Sequence, residues 1–171
     1  MILDIGSGKD SEAKLYWPDA EVHRLDSDEN LKPDLLGTMQ EIPAEDEGYE
    51  RVLASHVLEH LPFVDVLDAL KEVWRVLVKG GDFHLMVPSL EWAAREILSE
   101  TMSFITIPHL YGTQTNKHQQ HKTGFTMLML RELLPLAGFS VAASQRSIYQ
   151  VEIEDELYEA EQHYVVGIKN E

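Results

Sequence analysis

Two glycines separated by one residue follow a short apolar run at the start of this chain. The run, residues 1–5, contains one acid, Asp4, and the turn Gly6-Ser7-Gly8 comes directly after it. This pattern is typical of a buried parallel strand that ends in a tight turn, because glycine adopts backbone angles closed to other residues and lets a ligand approach the main chain. A nucleotide-like ligand would fit at such a strand end. A tight turn without any ligand explains the same residues equally well.

Strand-like and helix-like segments alternate through the first two thirds of the chain. The predicted strands are residues 1–5, 21–25, 31–36, 51–55, 82–87, 139–143 and 163–168. The predicted helices are residues 10–16, 63–78, 89–100 and 126–137. Such alternation predicts an α/β fold with a doubly wound parallel sheet. The last two strands have no long helix between them, so they are expected to form a hairpin.

Particular residues predict where some of the helices begin and end. Asp10 or Ser11 would cap the first helix and Ser89 the third. The helix over residues 63–78, which has the clearest 3.6-residue apolar period, would end at the glycines of residues 79–81. Residues 148–162 contain six acids and no Lys or Arg, which favours a solvated loop or helix face.

Length and charge restrict the class of protein. A chain of 171 residues predicts a single domain, residues 1–171. No apolar run approaches the roughly 20 residues that span a bilayer, and no signal peptide is recognisable. The absence of cysteine removes disulfides, thiolate zinc sites and a cysteine nucleophile, and a cytoplasmic location is expected. A net charge of −16 disfavours nucleic acid and membrane surfaces as partners, although acidity for solubility explains it as well.

Asp26 ends the second predicted strand and lies 18 residues beyond Gly8. An acid at this place, roughly 20 residues past a glycine turn, is where a carboxylate holds a ribose diol in nucleotide-binding folds. A surface aspartate in a strand-end turn fits the same spacing.

These features together resemble the class I S-adenosylmethionine (SAM)-dependent methyltransferases, particularly the small type 11 group. The resemblance is carried by LDIGSG (residues 3–8), by Asp26, by ASHVLEHL (residues 54–61) and by LKEVWRVLVKGG (residues 70–81). The segment HKTGFT…LRELLPLAGF (residues 121–139) is similar to a subset of methyltransferases without an assigned substrate.

The resemblance implies a Rossmann-like sheet of seven strands with the last strand antiparallel and helices on both faces. It also implies SAM as the cofactor and S-adenosylhomocysteine (SAH) as its product. In this family the ribose would be held at Asp26, adenine near Thr38 and the methionine end near Ser55. Many relatives have an acid where Thr38 stands, which leaves the adenine contact to the main chain. The implied cofactor-binding residues are Asp4, Gly6, Ser7, Gly8, Asp26, Ser27, Thr38, Met39, Ser55 and His56.

Residues 101–124 form a long polar stretch without clear periodicity, which is usually a functional lid or disorder. Relatives normally carry helices before the first strand that help to close the active site. We therefore expect residues 101–124 to act as a lid or insertion over the site, or a second subunit to cover it in a homodimer, or the pocket to be open.

Histidines near the cofactor edge are the candidates for a general base, should the acceptor have to lose a proton. They are His56, His60 and His121. A capping or packing role explains His56 and His60 as readily. Tyr111 and His121 could orient the substrate, while Tyr111 could equally anchor the segment. His118 and His121 have a spacing that suits two metal ligands, but no nearby acid completes a set, so no metal is expected.

The function favoured by these residues is methyl transfer to an oxygen or nitrogen atom of a small molecule or saccharide. DNA amine methyltransferases carry Asn/Asp-Pro-Pro-aromatic after the fourth strand, whereas this chain has Ser55-His56-Val57-Leu58. An NAD-binding enzyme would need a third glycine where Ser11 stands. A third alternative is a non-catalytic protein with the same fold that binds SAM, SAH or a partner, and turnover with any acceptor would exclude it.

Overall fold

One seven-stranded sheet organises the computed structural model, which describes residues 1–99, 103–116, 118–153 and 156–170. Its strand order is β3-β2-β1-β4-β5-β7-β6. The strands are β1 (Ile2–Ile5), β2 (Val22–Asp26), β3 (Leu35–Leu36), β4 (Tyr49–Ser55), β5 (Leu77–Pro88), β6 (Phe139–Ile153) and β7 (Glu156–Lys169). The helices are α1 (Ala13–Tyr16), α2 (Phe63–Val76), α3 (Leu90–Leu98), α4 (Thr106–Tyr111) and α5 (Met127–Leu136). Short 3-10 turns lie at Glu29–Leu31 and Leu58–His60.

Strands β1 to β5 pair in parallel, and β7 pairs antiparallel with both β5 and β6. The predicted doubly wound sheet with an antiparallel last strand is therefore confirmed. The chain runs outward from β1 to β3 and then returns to β4 on the other side of β1. Such a reversal opens a crevice at the carboxyl ends of the two central strands, which is where ligands bind in sheets of this type.

The alternation of side chains along each strand divides the core between the two faces of the sheet. Leu3 and Ile5 belong to the larger cluster, which includes residues of α2 and α5 such as Leu70 and Leu134. Ile2 lies in a smaller cluster on the opposite side, with Ala13 of α1 and residues of β4 and β5. The two clusters confirm that helices cover both faces.

One of the two predicted helix caps forms as expected. The Ser89 hydroxyl accepts a hydrogen bond from the Trp92 amide at 3.1 Å at the start of α3. The predicted first helix is different, because the Ser11 hydroxyl donates to Asp4 at 2.6 Å instead of capping. Neither Asp10 nor Ser11 caps a helix, and α1 is a single turn that begins at Ala13.

Helix α2 ends at Val76, two residues before its predicted end. Leu77 is already extended and pairs with Tyr49 of β4, so that β5 begins before the glycines. A Cβ atom on Gly81 would lie 2.8 Å from the Glu50 carbonyl oxygen. The prediction that these glycines end the helix is therefore wrong, since Gly81 permits close approach of two strands at an irregular point of their pairing.

The acidic stretch of residues 148–162 is not a loop or helix in its described part. It forms about half of a long hairpin, in which Ile148 pairs with Glu161 and Tyr149 with Ala160. Successive side chains of a strand point to opposite faces of the sheet, so the acids can remain in solvent: Glu159 is exposed while Ala160 is buried. Residues 154 and 155 lie outside the described residues.

The segment predicted to lack regular structure, residues 101–124, contains α4. Ile105 and His109 are buried there, although the apolar positions are too few to show a helical period. Residues 101, 102 and 117 lie outside the described part. Among the residues that the structure describes, no helix has the length and apolar character needed to cross a membrane.

Candidate active site

Strand register brings the predicted cofactor residues together. Ile5 of β1 pairs with Leu25 of β2 on one side and with Ala54 of β4 on the other. The residues that follow each strand therefore lie side by side at one edge of the sheet. This edge presents the glycine turn between Asp26 and Ser55, as the sequence predicts.

The two glycines of the turn have the same backbone conformation and different surroundings. Gly6 has φ of +65° and Gly8 has φ of +61°, a region that favours glycine. A Cβ atom on Gly6 would lie 2.5 Å from Cγ2 of Val57, whereas nothing lies within 4 Å of that position on Gly8. Gly6 is thus needed for packing inside the protein, while Gly8 leaves open space beside the main chain.

Two carboxylates brace the turn from opposite sides. Asp4 is buried and accepts hydrogen bonds from the Ser11 hydroxyl at 2.6 Å and the Ala13 amide at 3.1 Å. Burial raises the pKa of Asp4, against these hydrogen bonds. Asp26 accepts from the amides of Gly8 at 3.0 Å and Asp28 at 2.9 Å. A carboxylate has about four acceptor positions, so Asp26 can still accept hydrogen bonds from a ligand.

Two buried hydroxyls at this edge have no hydrogen-bond partner among the described residues. They belong to Ser7 in the turn and Ser55 at the end of β4. Buried polar atoms are rarely left unpaired, so each such case calls for a ligand, a water or an ion. The open space beside Gly8 and these two hydroxyls fit a polar ligand such as the implied cofactor.

The remaining predicted cofactor residues, Ser27, Thr38 and Met39, differ in their exposure to solvent. Ser27 is exposed beside Asp26. Thr38 is also exposed and exchanges two backbone hydrogen bonds with Glu41. Met39 is buried in the larger core cluster, so its side chain packs inside the protein and only its main chain can face a ligand at the surface.

Glu59 lies at the centre of a cluster of histidines that follows β4. Its side chain is 1% exposed, and neither carboxylate oxygen accepts a hydrogen bond from any residue that the structure describes. Nδ1 of His56 lies 3.3 Å from Oε1 of Glu59, an ion-pair distance that falls short of hydrogen-bond geometry. Burial would raise the pKa of Glu59, but the interaction with His56 and the nearby His60 and His121 lower it.

His56 is held on both sides of its ring. Its Nε2 donates to Oε1 of Gln162 at 2.7 Å, while Nδ1 faces Glu59. Burial alone would lower the pKa of His56, but the Glu59 carboxylate and Gln162 outweigh it and the pKa is raised. The backbone at His56 has φ of +54°, an unusual value for a residue other than glycine. Strain of this kind is concentrated at functional sites.

His60 and His121 meet edge to face, with ring centroids 5.0 Å apart. Nδ1 of His60 donates to the Gln120 carbonyl and Nδ1 of His121 donates to the His109 carbonyl, each at 3.0 Å. In the neutral form of each ring, Nε2 therefore carries the lone pair. Glu59, His60 and His121 each offer one potential metal-ligand atom, and these three atoms lie within 4.8 Å of one another. The structure thus supplies an acid that the spacing of His118 and His121 did not reveal.

Two further residues of the site were missed by the sequence. His109 donates from Nε2 to the Ser89 carbonyl at 2.9 Å and accepts at Nδ1 from the Tyr149 hydroxyl at 3.1 Å. Burial lowers the pKa of His109 to about 4 and raises that of Tyr149, so both are neutral at pH 7. His109 lies in the segment without a predicted helix and Tyr149 in the acidic stretch, and neither segment shows a motif.

A small pocket opens beside this cluster. It holds about 230 Å³ of space, part of it open to solvent, and its walls include Glu59, His109, His121 and Leu90. Tyr111, a predicted substrate residue, is 54% exposed at the end of α4, and its carbonyl accepts from the His121 amide. The segment 101–124 contributes His109, Leu110, His121, Thr123 and Gly124 to the walls of the pocket, whereas Tyr111 lies beside it.

Residues 3–85 match a family model described as a methyltransferase domain. A comparison with curated protein sequences gave no significant match. The matched region contains the glycine turn, Asp26, the turn after β4 and helix α2. The match thus extends from β1 to the greater part of β5, which is the parallel part of the sheet.

Solved structures share the fold over nearly the whole chain. A SAM-dependent methyltransferase from Methanosarcina mazei has a TM-score of 0.74 at 17% identity, covering 99% of this chain and 92% of that one. The 1,6-didemethyltoxoflavin-N1-methyltransferase of Burkholderia thailandensis, solved with bound 1,6-didemethyltoxoflavin and SAH, has a TM-score of 0.64 at 16% identity. The match covers 99% of this chain and 71% of that one. A chain from a Haloferax volcanii complex that contains the Trm112 methyltransferase activator has a TM-score of 0.70 at 18% identity. The match covers 99% of this chain and 82% of that one. At these identities the likeness establishes the fold.

Proposed function

We propose that this chain is a class I SAM-dependent methyltransferase that transfers a methyl group from SAM to an oxygen or nitrogen atom of a small molecule or saccharide; its methyltransferase-domain match over residues 3–85 and its fold support the assignment. One observation carries the proposal. The open main chain at Gly8 lies at the sheet edge between Asp26 and Ser55, with unpartnered buried hydroxyls on Ser7 and Ser55.

The residues at this edge would hold the cofactor. SAM supplies the methyl group already activated on a sulfonium, so the protein has to position the reactants and exclude water. Asp26 would accept hydrogen bonds from ribose hydroxyls with the positions left free by its two amide donors. Gly8 would let the cofactor approach the main chain, and the hydroxyls of Ser7 and Ser55 would gain hydrogen-bond partners.

Other predicted cofactor residues contribute in different ways. Asp4 and Gly6 would act by shaping the turn, since one braces it and the other packs against Val57. Ser27 would lie beside the ribose and Thr38 beside adenine. Met39 would contribute only its main chain, because its side chain is buried in the core.

The acceptor would bind on the side of the histidine cluster. His56 uses both ring nitrogens within the protein, so its role would be to position its neighbours at the methionine end. His60 and His121 keep a lone pair on Nε2 and could take up a proton from the acceptor or bind it directly. Tyr111 would border the site from α4, with the surrounding segment as a lid.

The proposal extends to the kind of partner and compartment. A net charge of −16 supports a small-molecule acceptor over nucleic acid or a membrane surface. The proposed compartment, the cytoplasm, rests on the cysteine-free sequence. A homodimer would add a second wall to the pocket. Sedimentation of the purified protein with and without SAH measures whether such a dimer forms.

Calorimetric titration tests the cofactor assignment. We expect SAM and SAH to bind and NAD not to bind, because the turn has Ser11 where dinucleotide-binding folds have a third glycine. Asp26→Ala should abolish binding of both sulfur ligands. Asp19→Ala, at an exposed aspartate away from the turn, is the matched control and should bind normally.

Turnover is measured separately, as SAH released with a panel of hydroxylated and amine-bearing small molecules. Binding of SAM with release of SAH would support the enzyme. Binding without turnover on any acceptor would favour a non-catalytic SAM-binding protein, and failure to bind either sulfur ligand would refute the cofactor assignment.

A further inference from the structure

We propose that Glu59, His60 and His121 form a binding site for one divalent transition-metal ion, such as Zn²⁺, beside the pocket. One ligand atom from each of the three residues lies within 4.8 Å of the others. Donors at about 2.1 Å from a tetrahedral ion lie roughly 3.4 Å apart, so small side-chain rotations would close the site. Two imidazoles and one carboxylate are a ligand set found in zinc sites that keep an open coordination position.

The carboxylate of Glu59 supplies the first argument. It is 1% exposed, and neither oxygen accepts a hydrogen bond from the residues that the structure describes. A buried carboxylate without hydrogen bonds is costly, so such groups are generally paired or coordinate a metal. His56 provides charge on one side at 3.3 Å. A cation between Glu59, His60 and His121 would satisfy the carboxylate on the other side.

The orientation of the two imidazoles supplies the second argument. Both rings donate from Nδ1 to a backbone carbonyl, His60 to Gln120 and His121 to His109. A metal-ligating histidine nearly always makes such a bond with its other nitrogen, because it selects the tautomer and sets the ring orientation. The main chain thus leaves Nε2 of both histidines available as ligand atoms.

The backbone holds the three residues together before any ion binds. The Glu59 carbonyl accepts from the amides of Lys122 at 2.8 Å and Thr123 at 3.1 Å. The Thr123 hydroxyl donates to the Leu61 carbonyl at 2.7 Å. These bonds tie the segment that carries His121 to the turn that carries Glu59 and His60, and preorganisation of this kind lowers the cost of binding.

The position of the site indicates what the ion would do. Glu59 and His121 both line the pocket, so a free coordination position would face it. If the proposed methyl transfer is correct, a hydroxyl oxygen of the acceptor would occupy that position and release its proton to solvent, since a bound metal lowers the pKa of a coordinated hydroxyl. His60 and His121 would then act as ligands rather than as general bases.

Titration of the metal-depleted protein with Zn²⁺, after removal of any polyhistidine tag, tests the site without SAM. We expect one ion per chain. Glu59→Gln and His121→Ala should each weaken binding by about tenfold or more, as removal of even a supporting group costs about that much. His118→Ala is the matched control, because His118 is an exposed histidine of the same segment. It should bind as the wild type does.

Two further readouts keep the test decisive if a variant folds poorly. Zn²⁺ should raise the thermal midpoint of the wild type and of His118→Ala, and Co²⁺ should give a d–d absorption spectrum typical of nitrogen and oxygen ligands. The absence of saturable binding, or an equal loss in His118→Ala, would overturn the proposal, and His56 alone would then balance Glu59. Metal binding in a protein that does not bind SAM would refute only the methyltransferase assignment.

Discussion

Gly6 and Gly8 show how one backbone conformation can serve two purposes within three residues. Both glycines have positive φ near +60°, yet only Gly6 faces another side chain at the Cβ position. The cost of a substitution therefore depends on Val57 at one position and on the ligand at the other. Residue identity within the turn reflects packing as well as backbone angle.

We expect Gly6→Ala to be more destabilising than Gly8→Ala. A left-handed conformation costs an alanine about 1–2 kcal/mol at either position. At Gly6 the contact with Val57 should add about 1–3 kcal/mol of overpacking. Gly8→Ala should instead weaken SAH binding, because its methyl group would fill the open space beside the main chain. Urea unfolding and calorimetry separate the two effects, and equal losses of stability would contradict this account.

Arg51 and Asp82 join two central strands of the sheet at paired positions. The guanidinium donates from Nε to Oδ1 at 2.6 Å and from one terminal nitrogen to Oδ2 at 2.7 Å. The Trp17 ring packs against the guanidinium at 4.5 Å, which keeps the pair partly out of solvent. Burial would raise the pKa of Asp82, but the hydrogen bonds from Arg51 and the nearby His84 ring, whose Nε2 lies 3.3 Å from Oδ1, lower it well below its ordinary value of 3.8.

This lowered pKa predicts a loss of stability in acid. A carboxyl whose pKa is lower in the folded state stabilises the fold fully above its unfolded pKa, and that stabilisation is lost as the pH falls toward the folded value. Asp82→Asn should therefore lower the free energy of unfolding at pH 7 by about 1–3 kcal/mol. The difference from the wild type should shrink below about pH 4.

Urea unfolding at pH 7 and pH 3 measures this difference. Asp68→Asn is the matched control, because Asp68 forms an exposed ion pair with Lys71 in α2. Its effect should stay below about 0.5 kcal/mol at both pH values. A pH-independent loss in Asp82→Asn would show that packing, rather than charge, links the two strands.

The hairpin of β6 and β7 connects the candidate site to the far edge of the sheet. Tyr149 of β6 donates its hydroxyl to His109 of α4, and its ring lies 4.7 Å from that of His56. Gln162 of β7 accepts from His56 at 2.7 Å. The hairpin thus supports the site from outside the region matched by the methyltransferase-domain model.

Tyr149→Phe should loosen α4 without disturbing the central strands. The change leaves Nδ1 of His109 buried without a donor, at a cost of about 1–3 kcal/mol. Hydrogen exchange at residues 106–111 should accelerate, while amides of β1 and β4 should exchange at the wild-type rate. Tyr158→Phe, which removes a hydroxyl that donates to exposed Glu156, is the control. Unchanged exchange in α4 would mean that the hairpin does not stabilise this wall.

The sequence by itself was sufficient to predict the order of strands and helices in the parallel part of the sheet. Strand, turn and helix signals in this region are local, since apolar runs and glycines act within a few residues. They predicted strands that end next to Gly6, Asp26 and Ser55, while the site shared by these residues was implied by the family resemblance; strand register places the three at one sheet edge. The final hairpin was predicted, but its extension through the acidic residues 148–162 was missed, because β6 and β7 are stabilised there by pairing with each other, which no local pattern reports.

Only the tertiary structure decided how the histidines are used. His109, His121 and Tyr149 lie far from Glu59 along the chain, and no local pattern indicates that they meet it. They meet because backbone hydrogen bonds attach residues 121–123 to the turn after β4 and because the hairpin returns across the site. Local sequence carries the information for turns and helices, whereas a cluster of side chains from four segments depends on packing between elements, and packing exists only in the folded chain.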